Sequence, residues 1–176
     1  MKTLYLLRHA KSAWNRPVPD HDRPLAPRGR RAAPAMAEYM AGDGLVPDAV
    51  LSSTAARTRQ TWMAMESVLG RPPVEWRREI YEAAASDLLA VVRGADDGID
   101  RLLLVGHNPG IQRLALSLAG SGEPRERRRL REKFPTAALA VLELEDGRWA
   151  DVEPGSGTLA GYVRPKDLPQ AREMKL

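Results

Sequence analysis

Two histidines and two arginines carry the chemistry legible in this chain. They fall in three short polar clusters: Arg8-His9-Ala10-Lys11-Ser12, Ser53-Thr54-Ala55-Ala56-Arg57-Thr58 and Gly106-His107-Asn108-Pro109. Brought together, these clusters would surround one anion with cations and helix N-termini and aim an imidazole nitrogen at it, which is what phosphoryl transfer requires. Acyl transfer is served less well. The chain has no cysteine, and Ser12 and Ser53 read as helix caps or backbone partners because no carboxylate pattern marks them as members of a triad. A His9 set between arginines resists protonation, since neighbouring positive charge disfavours its cationic form. A bound phosphate dianion would instead stabilise a protonated His107, which could then donate to an equatorial oxygen.

The elements that must position these clusters are strands. Leu4–Leu7 is a short, continuously apolar run that ends at the first cluster, as expected of a strand buried on both faces of a parallel sheet. Arg101–Gly106 has the same signature, and Asp48–Ser53, after the breaker Pro47, is a third. Helical patterns fill the intervals over Arg28–Ala41, Ala55–Leu69, Ser86–Ala95 and Pro109–Leu118. This alternation predicts an α/β fold, a three-layer sandwich with a mostly parallel central sheet and helices on both faces. Ala137–Glu145 and Arg148–Val152 flank Asp146-Gly147, which predicts a hairpin and an antiparallel edge strand. Open sheets of this kind bind ligands beyond the carboxyl ends of their strands, so the three clusters should converge there. Arg57 would then open a helix, where a cation is unfavourable unless an anion lies close.

At these residues the chain resembles the histidine phosphatase superfamily, of phosphoglycerate mutase-like fold. The likeness rests on Arg8-His9-Ala10-Lys11-Ser12, on Ser53-x-Ala55-x-Arg57-Thr58 and on Gly106-His107-Asn108. Arg8 to Asn15, RHAKSAWN, is similar to an RHGExxWN opening, and Asp22–Gly29 to the D-x-PL element that follows it. Ala10 and Lys11 look more like the SixA-type phosphohistidine phosphatases. The resemblance implies His9 as nucleophile, with phosphate held by Arg8, Arg57 and His107, and with Ser12, Asn15 and Asn108 as nearby binding residues. It also points to an acid from the segment between the second and third motifs, where Glu82 lies, although SixA-type enzymes need not have one. The implied substrate is phosphohistidine on a protein, or a small phosphomonoester. A mutase-like phosphotransferase and a non-catalytic phosphate-binding or phosphoprotein-binding module are the alternatives.

Composition sets the outer limits. The 176 residues, 43% hydrophobic and 28% charged, fit one globular domain over residues 1–165 with a C-terminal tail at 166–176. The opening apolar run is too short for a signal peptide and no segment approaches a membrane span, which predicts a cytoplasmic protein without a membrane partner. A formal net charge of +4 favours an anionic partner. The arginines at 125, 127, 128, 129 and 131 lack interleaved aromatics, so they predict a solvated helix face rather than a nucleic-acid surface. His21, between Asp20 and Asp22, lacks a second ligand cluster and predicts a solvated loop, so no metal and no cofactor are expected. The oligomeric state has no signature.

Overall fold

In the computed structural model, which describes residues 1–174, the apolar runs become the strands of one seven-stranded sheet. The strands are β1 (Lys2–Arg8), β2 (Ala49–Ser52), β3 (Val74–Trp76), β4 (Arg101–Gly106), β5 (Ala119–Gly122), β6 (Leu139–Leu144) and β7 (Gly157–Val163), in the order β3-β2-β4-β1-β6-β7-β5. β1, β2, β3 and β4 pair in parallel, and the expected antiparallel pairing is made by β6, which runs against both β1 and β7. The main helices are α1 (Pro27–Gly42), α2 (Ala56–Met63), α3 (Ala85–Arg93), α4 (Gly110–Leu118) and α5 (Pro124–Glu132).

The continuous apolarity of β1 has a direct cause. Leu4 and Leu6 join a core with Leu88, Ile111, Leu114 and Leu130 from α3, α4 and α5. Tyr5 and Leu7 point the other way, into a core with Met36 and Met40 of α1 and Trp62 of α2. Successive strand residues face opposite sides. A strand covered by helices on both faces therefore needs apolar residues throughout, and the sheet is the middle of three layers.

Local structure departs from the expectations in three places. The strand returning from β6 is Gly157–Val163, not Arg148–Val152. Trp149 forms a single tight turn because its ring is buried, its Nε1–H donates to the Ile99 carbonyl at 2.7 Å and its backbone N–H donates to Asp97 Oδ1 at 3.0 Å. Pro154, without an N–H, could not have continued a ladder. The helix expected to reach Leu69 ends at Met63 and gives way to irregular turns in which Met65 and Leu69 remain buried. The short strands β3 and β5 have too few residues to show a pattern of their own. At the C-terminus, Asp167 pairs with Arg129 and Arg164, and Leu168 is buried; residues 175 and 176 of the expected tail lie outside the described residues. The arginine run forms α5, with Leu130 turned into the core and Arg129 bridging Glu126 and Asp167.

Candidate active site

Sheet register places the three clusters side by side. Arg8 pairs with Gly106 across β1 and β4, and Ser52 with Val105 across β2 and β4, so each strand delivers its cluster at the same edge. Two further bonds extend the pairing, His9 N–H to the Gly106 carbonyl and Ser53 N–H to the Val105 carbonyl, both at 3.1 Å. The His9 and His107 rings lie 5.3 Å apart between centroids, and both side chains are buried.

The loop bearing His9 is held from two sides. Ala10 N–H donates to Thr61 Oγ1 at 2.9 Å, which fastens the loop to α2. Gly29, in the first turn of α1, lies so close to the Lys11 backbone that an added Cβ would overlap the Lys11 carbonyl. His9 Nδ1 sits 2.8 Å from the Ala10 carbonyl. A carbonyl only accepts, so Nδ1 carries the proton and the lone pair is on Nε2.

The guanidinium of Arg8 donates through Nη1 to the Phe134 carbonyl at 3.0 Å, and Asn108 Nδ2 donates to the same oxygen at 3.0 Å. His107 Nε2 shares a hydrogen bond with Ser53 Oγ at 2.8 Å. Arg8 Nε, Arg57 Nε and His107 Nδ1 are buried and have no hydrogen-bond partner among the described residues. Unpaired buried donors are costly, and an oxyanion is an acceptor that suits the two guanidinium Nε–H groups; His107 Nδ1 is a third donor in the tautomer whose Nε2 accepts from the Ser53 hydroxyl.

Electrostatics agree. Burial pushes His9 well below the ordinary imidazole range, with His107, Arg8 and Arg57 adding to the effect against a raising contribution from the Ala10 carbonyl. Burial, then Arg57, lowers His107 to about 3. Both rings are therefore neutral at pH 7, and desolvation rather than the arginines is the main cause, which corrects the emphasis that the arginine neighbours suggest in sequence. Arg8 is itself lowered by burial and by Arg57. Two crowded cations and two neutral imidazoles in a low-dielectric site make a receptor for a dianion and leave one imidazole lone pair for attack.

The residue that sequence reasoning missed is Asp20. Its backbone carbonyl accepts from Arg57 Nη1 at 2.9 Å, and its carboxylate accepts from Arg57 Nη2 at 3.1 Å, from Arg23 Nη2 at 3.1 Å and from the Tyr81 hydroxyl at 2.5 Å. The Tyr81 hydrogen bond first, then Arg57 and Arg23, lower its pKa to about 2. Tyr81 in turn stacks edge-on with His107 at 5.5 Å and with His21 at 4.8 Å between centroids. His21 is not simply solvated: its Nε2 bonds Thr54 Oγ1 at 2.8 Å. The helix-opening position of Arg57 was the available signal, because it demanded an anion and Asp20 is the nearest carboxylate partner.

The other expected residues are placed differently. Ser12 is buried and its hydroxyl accepts from Arg23. Asn15 is exposed beside Trp14, whose ring lies under the Arg23 guanidinium at 3.7 Å, in a groove with Lys11 and Arg30. Glu82 is exposed, has a positive φ of 51° and makes no hydrogen bond or ion pair among the described residues. Among those residues no group of three or more histidine, cysteine or carboxylate side chains could hold a metal ion.

Residues 4–89 match the histidine phosphatase superfamily (branch 1), a span that holds the first two clusters. An uncharacterized protein of Mycobacterium tuberculosis (strain CDC 1551 / Oshkosh) is 41% identical over 162 residues, covering 91% of this chain and 100% of its own. A crystal structure of a candidate phosphohistidine phosphatase SixA from Agrobacterium tumefaciens is similar with a TM-score of 0.80 and 32% identity, covering 93% of this chain and 98% of that one. The corresponding SixA structure from Nakamurella multipartitia has a TM-score of 0.81 and 35% identity over 93% of this chain and 96% of its own.

Proposed function

The chain belongs to the histidine phosphatase superfamily, and on that premise we propose that it is a metal-independent phosphatase that passes a phosphoryl group from phosphohistidine to water through His9. The observation that carries this reading is the His9 imidazole, neutral and with its lone pair on Nε2, set beside His107 and two guanidinium groups at one sheet edge.

The geometry supports the following steps. Nε2 attacks phosphorus while Arg8, Arg57 and His107 hold the equatorial oxygens. The bond between phosphorus and the leaving atom breaks, and its electron pair departs with the leaving group. His9 keeps its Nδ1 proton on the Ala10 carbonyl, so the phosphorylated ring carries a positive charge and is a good leaving group in its turn. Water then attacks phosphorus, the P–N pair returns to Nε2, and dihydrogen phosphate is released with both protons of the water.

Phosphohistidine is favoured by what surrounds the site. Asp20, the carboxylate nearest the arginines, is held at about 2 and cannot donate a proton near neutrality. Glu82 is exposed and makes no hydrogen bond or ion pair among the described residues. A departing imidazole makes little demand for a separate acid, because with its other ring nitrogen protonated the ring takes the P–N electron pair and leaves as neutral imidazole. A small phosphomonoester is the second reading, supported by the Tyr81 hydroxyl, which burial and Asp20 keep protonated beside Arg57.

The test is brief exposure to labelled phosphohistidine peptide and to p-nitrophenyl phosphate, followed by quenching. An acid-labile, alkali-stable phosphate should appear on the wild type and be absent from His9→Ala. Full hydrolysis by His9→Ala would overturn the mechanism, and faster turnover of the ester than of the peptide would overturn the substrate.

A further inference from the structure

A second concentration of positive charge lies outside the site just described. Lys11, Arg28, Lys133, Arg164 and Lys166 line one cavity of about 170 Å³, and no carboxylate residue lines it. Arg164 is paired with Asp167, but Lys11, Arg28, Lys133 and Lys166 make no side-chain hydrogen bond or ion pair among the described residues. These cations come from four distant parts of the chain: the His9 loop, the start of α1, the segment before β6 and the turn after β7. Folding has gathered like charges that repel one another, which is unfavourable unless something of opposite sign occupies the space between them.

The cavity has walls as well as charge. Ala32, Pro135 and Pro165 form its apolar sides. A low-dielectric wall strengthens the attraction of each cation for an anion held between them. We propose that this cavity is a second anion-binding site, which takes a phosphate or pyrophosphate group separately from the catalytic pocket. Arginine supplies a planar fork for its oxygens, and the lysines supply point charges.

The two sites share a wall. Lys133, Pro135 and Thr136 line the cavity, while Phe134 between them accepts the hydrogen bond of Arg8. Ala137 N–H then closes onto the Arg8 and His9 carbonyls at 3.1 and 3.0 Å.

The experiment is calorimetric titration of the full chain with inorganic pyrophosphate. Two sites should be resolved. Arg57→Ala should remove one of them, which depends on the phosphatase reading; loss of the other does not. The charge-reversed variant Arg28→Glu, Lys133→Glu, Lys166→Glu should weaken the second site about tenfold or more while p-nitrophenyl phosphate turnover stays within about twofold. A wild type with no site that survives Arg57→Ala, or a charge-reversed protein that keeps that site, would overturn the proposal, whereas a single site that survives Arg57→Ala and is lost on charge reversal would overturn the phosphatase reading alone. If circular dichroism shows the triple variant unfolded, Lys133→Ala and Lys166→Ala replace it. Each should weaken the second site about threefold, and unchanged affinity in both would overturn it equally.

The source of the anion is read in His9→Ala protein with fructose 1,6-bisphosphate and fructose 6-phosphate as ligands. If charge reversal weakens the bisphosphate alone, the second anion is carried by the substrate. If it weakens neither sugar phosphate while pyrophosphate binding is lost, the site serves a separate ligand.

Discussion

Arg57 grips Asp20 at two points, donating to its backbone carbonyl at 2.9 Å and to its carboxylate at 3.1 Å. The pair ties α2, which carries Arg57, to the loop that leads from the His9 cluster into α1. It also sets the guanidinium plane, because both Nη atoms are committed and only Nε lacks a partner. On the proposed reading Asp20 would act through Arg57, as a positioning residue rather than a catalytic one.

Asp20→Asn keeps the shape and removes the charge. Its kcat/KM should fall about tenfold, equivalent to about 1.4 kcal/mol, with most of the change in KM because ground-state phosphate binding is what the guanidinium supports. Asp20→Ala should be worse, and Asp20→Ala in an Arg57→Ala background should add little, which is the signature of one acting through the other. Additive losses would place Asp20 elsewhere. The same carboxylate gives a stability signature: its folded pKa, about 2, lies below its ordinary 3.8, so the stabilisation is present above pH 3.8 and disappears as pH falls through 2. The asparagine variant should lose that dependence in acid-unfolding curves.

The two site histidines predict a second pH dependence. His107 has a folded value of about 3 against an ordinary 6.5, and His9 is lowered in the same direction. Each therefore contributes stability that is complete above pH 6.5 and is lost as the pH falls toward the folded value. In proton NMR of the free protein, the ring signals of both should stay flat from pH 5 to pH 8, and a midpoint near 6.5 for either would contradict the assignment. On the proposed reading a bound phosphate dianion favours a protonated His107, so calorimetry in buffers of different ionisation enthalpy should show about one proton taken up per phosphate bound near pH 8, where free phosphate is already the dianion.

Gly29 tests the seam between α1 and the loop that bears His9. An alanine Cβ there would overlap the Lys11 carbonyl, and backbone has no rotamer with which to yield. Gly29→Ala should destabilise the fold by about 1–3 kcal/mol and displace the loop that ends at His9, lowering activity more than the stability loss accounts for. Gly42→Ala, in the same helix with open space around it, is the control and should be neutral or slightly stabilising.

How much of this was legible follows from how local each signal is. Leu4–Leu7 and Arg101–Gly106 announce buried parallel strands because burial on both faces forbids polar residues. The clusters at their ends could be joined into one site because parallel pairing puts strand ends together. Asp20 could not be found that way. It reaches Arg57 from a loop without periodicity, and only the folded chain shows that its carboxylate answers the cation at the start of α2. The hairpin failed for a similar reason: Asp146-Gly147 is a sound local turn signal, but burial of Trp149 against Ile99 is a tertiary demand that outweighs it.

Glu82 separates position in the sequence from position in the site. It falls where an acid is expected, yet it is exposed, and its φ of 51° puts a side-chained residue in the left-handed region that glycine occupies more readily. If the departing imidazole needs no carboxylic acid, Glu82→Gln should leave phosphohistidine peptide turnover within about twofold, the range of an ordinary surface change. Glu82→Gly should remove the backbone penalty and raise stability by about 1 kcal/mol, unless the added freedom of the unfolded chain offsets it. Thermal melts of both variants, run beside their rates, distinguish the outcomes. A hundredfold fall in kcat for the glutamine variant, with an unchanged melt, would assign Glu82 as the acid after all and would favour an ester with a poor leaving group as the natural substrate.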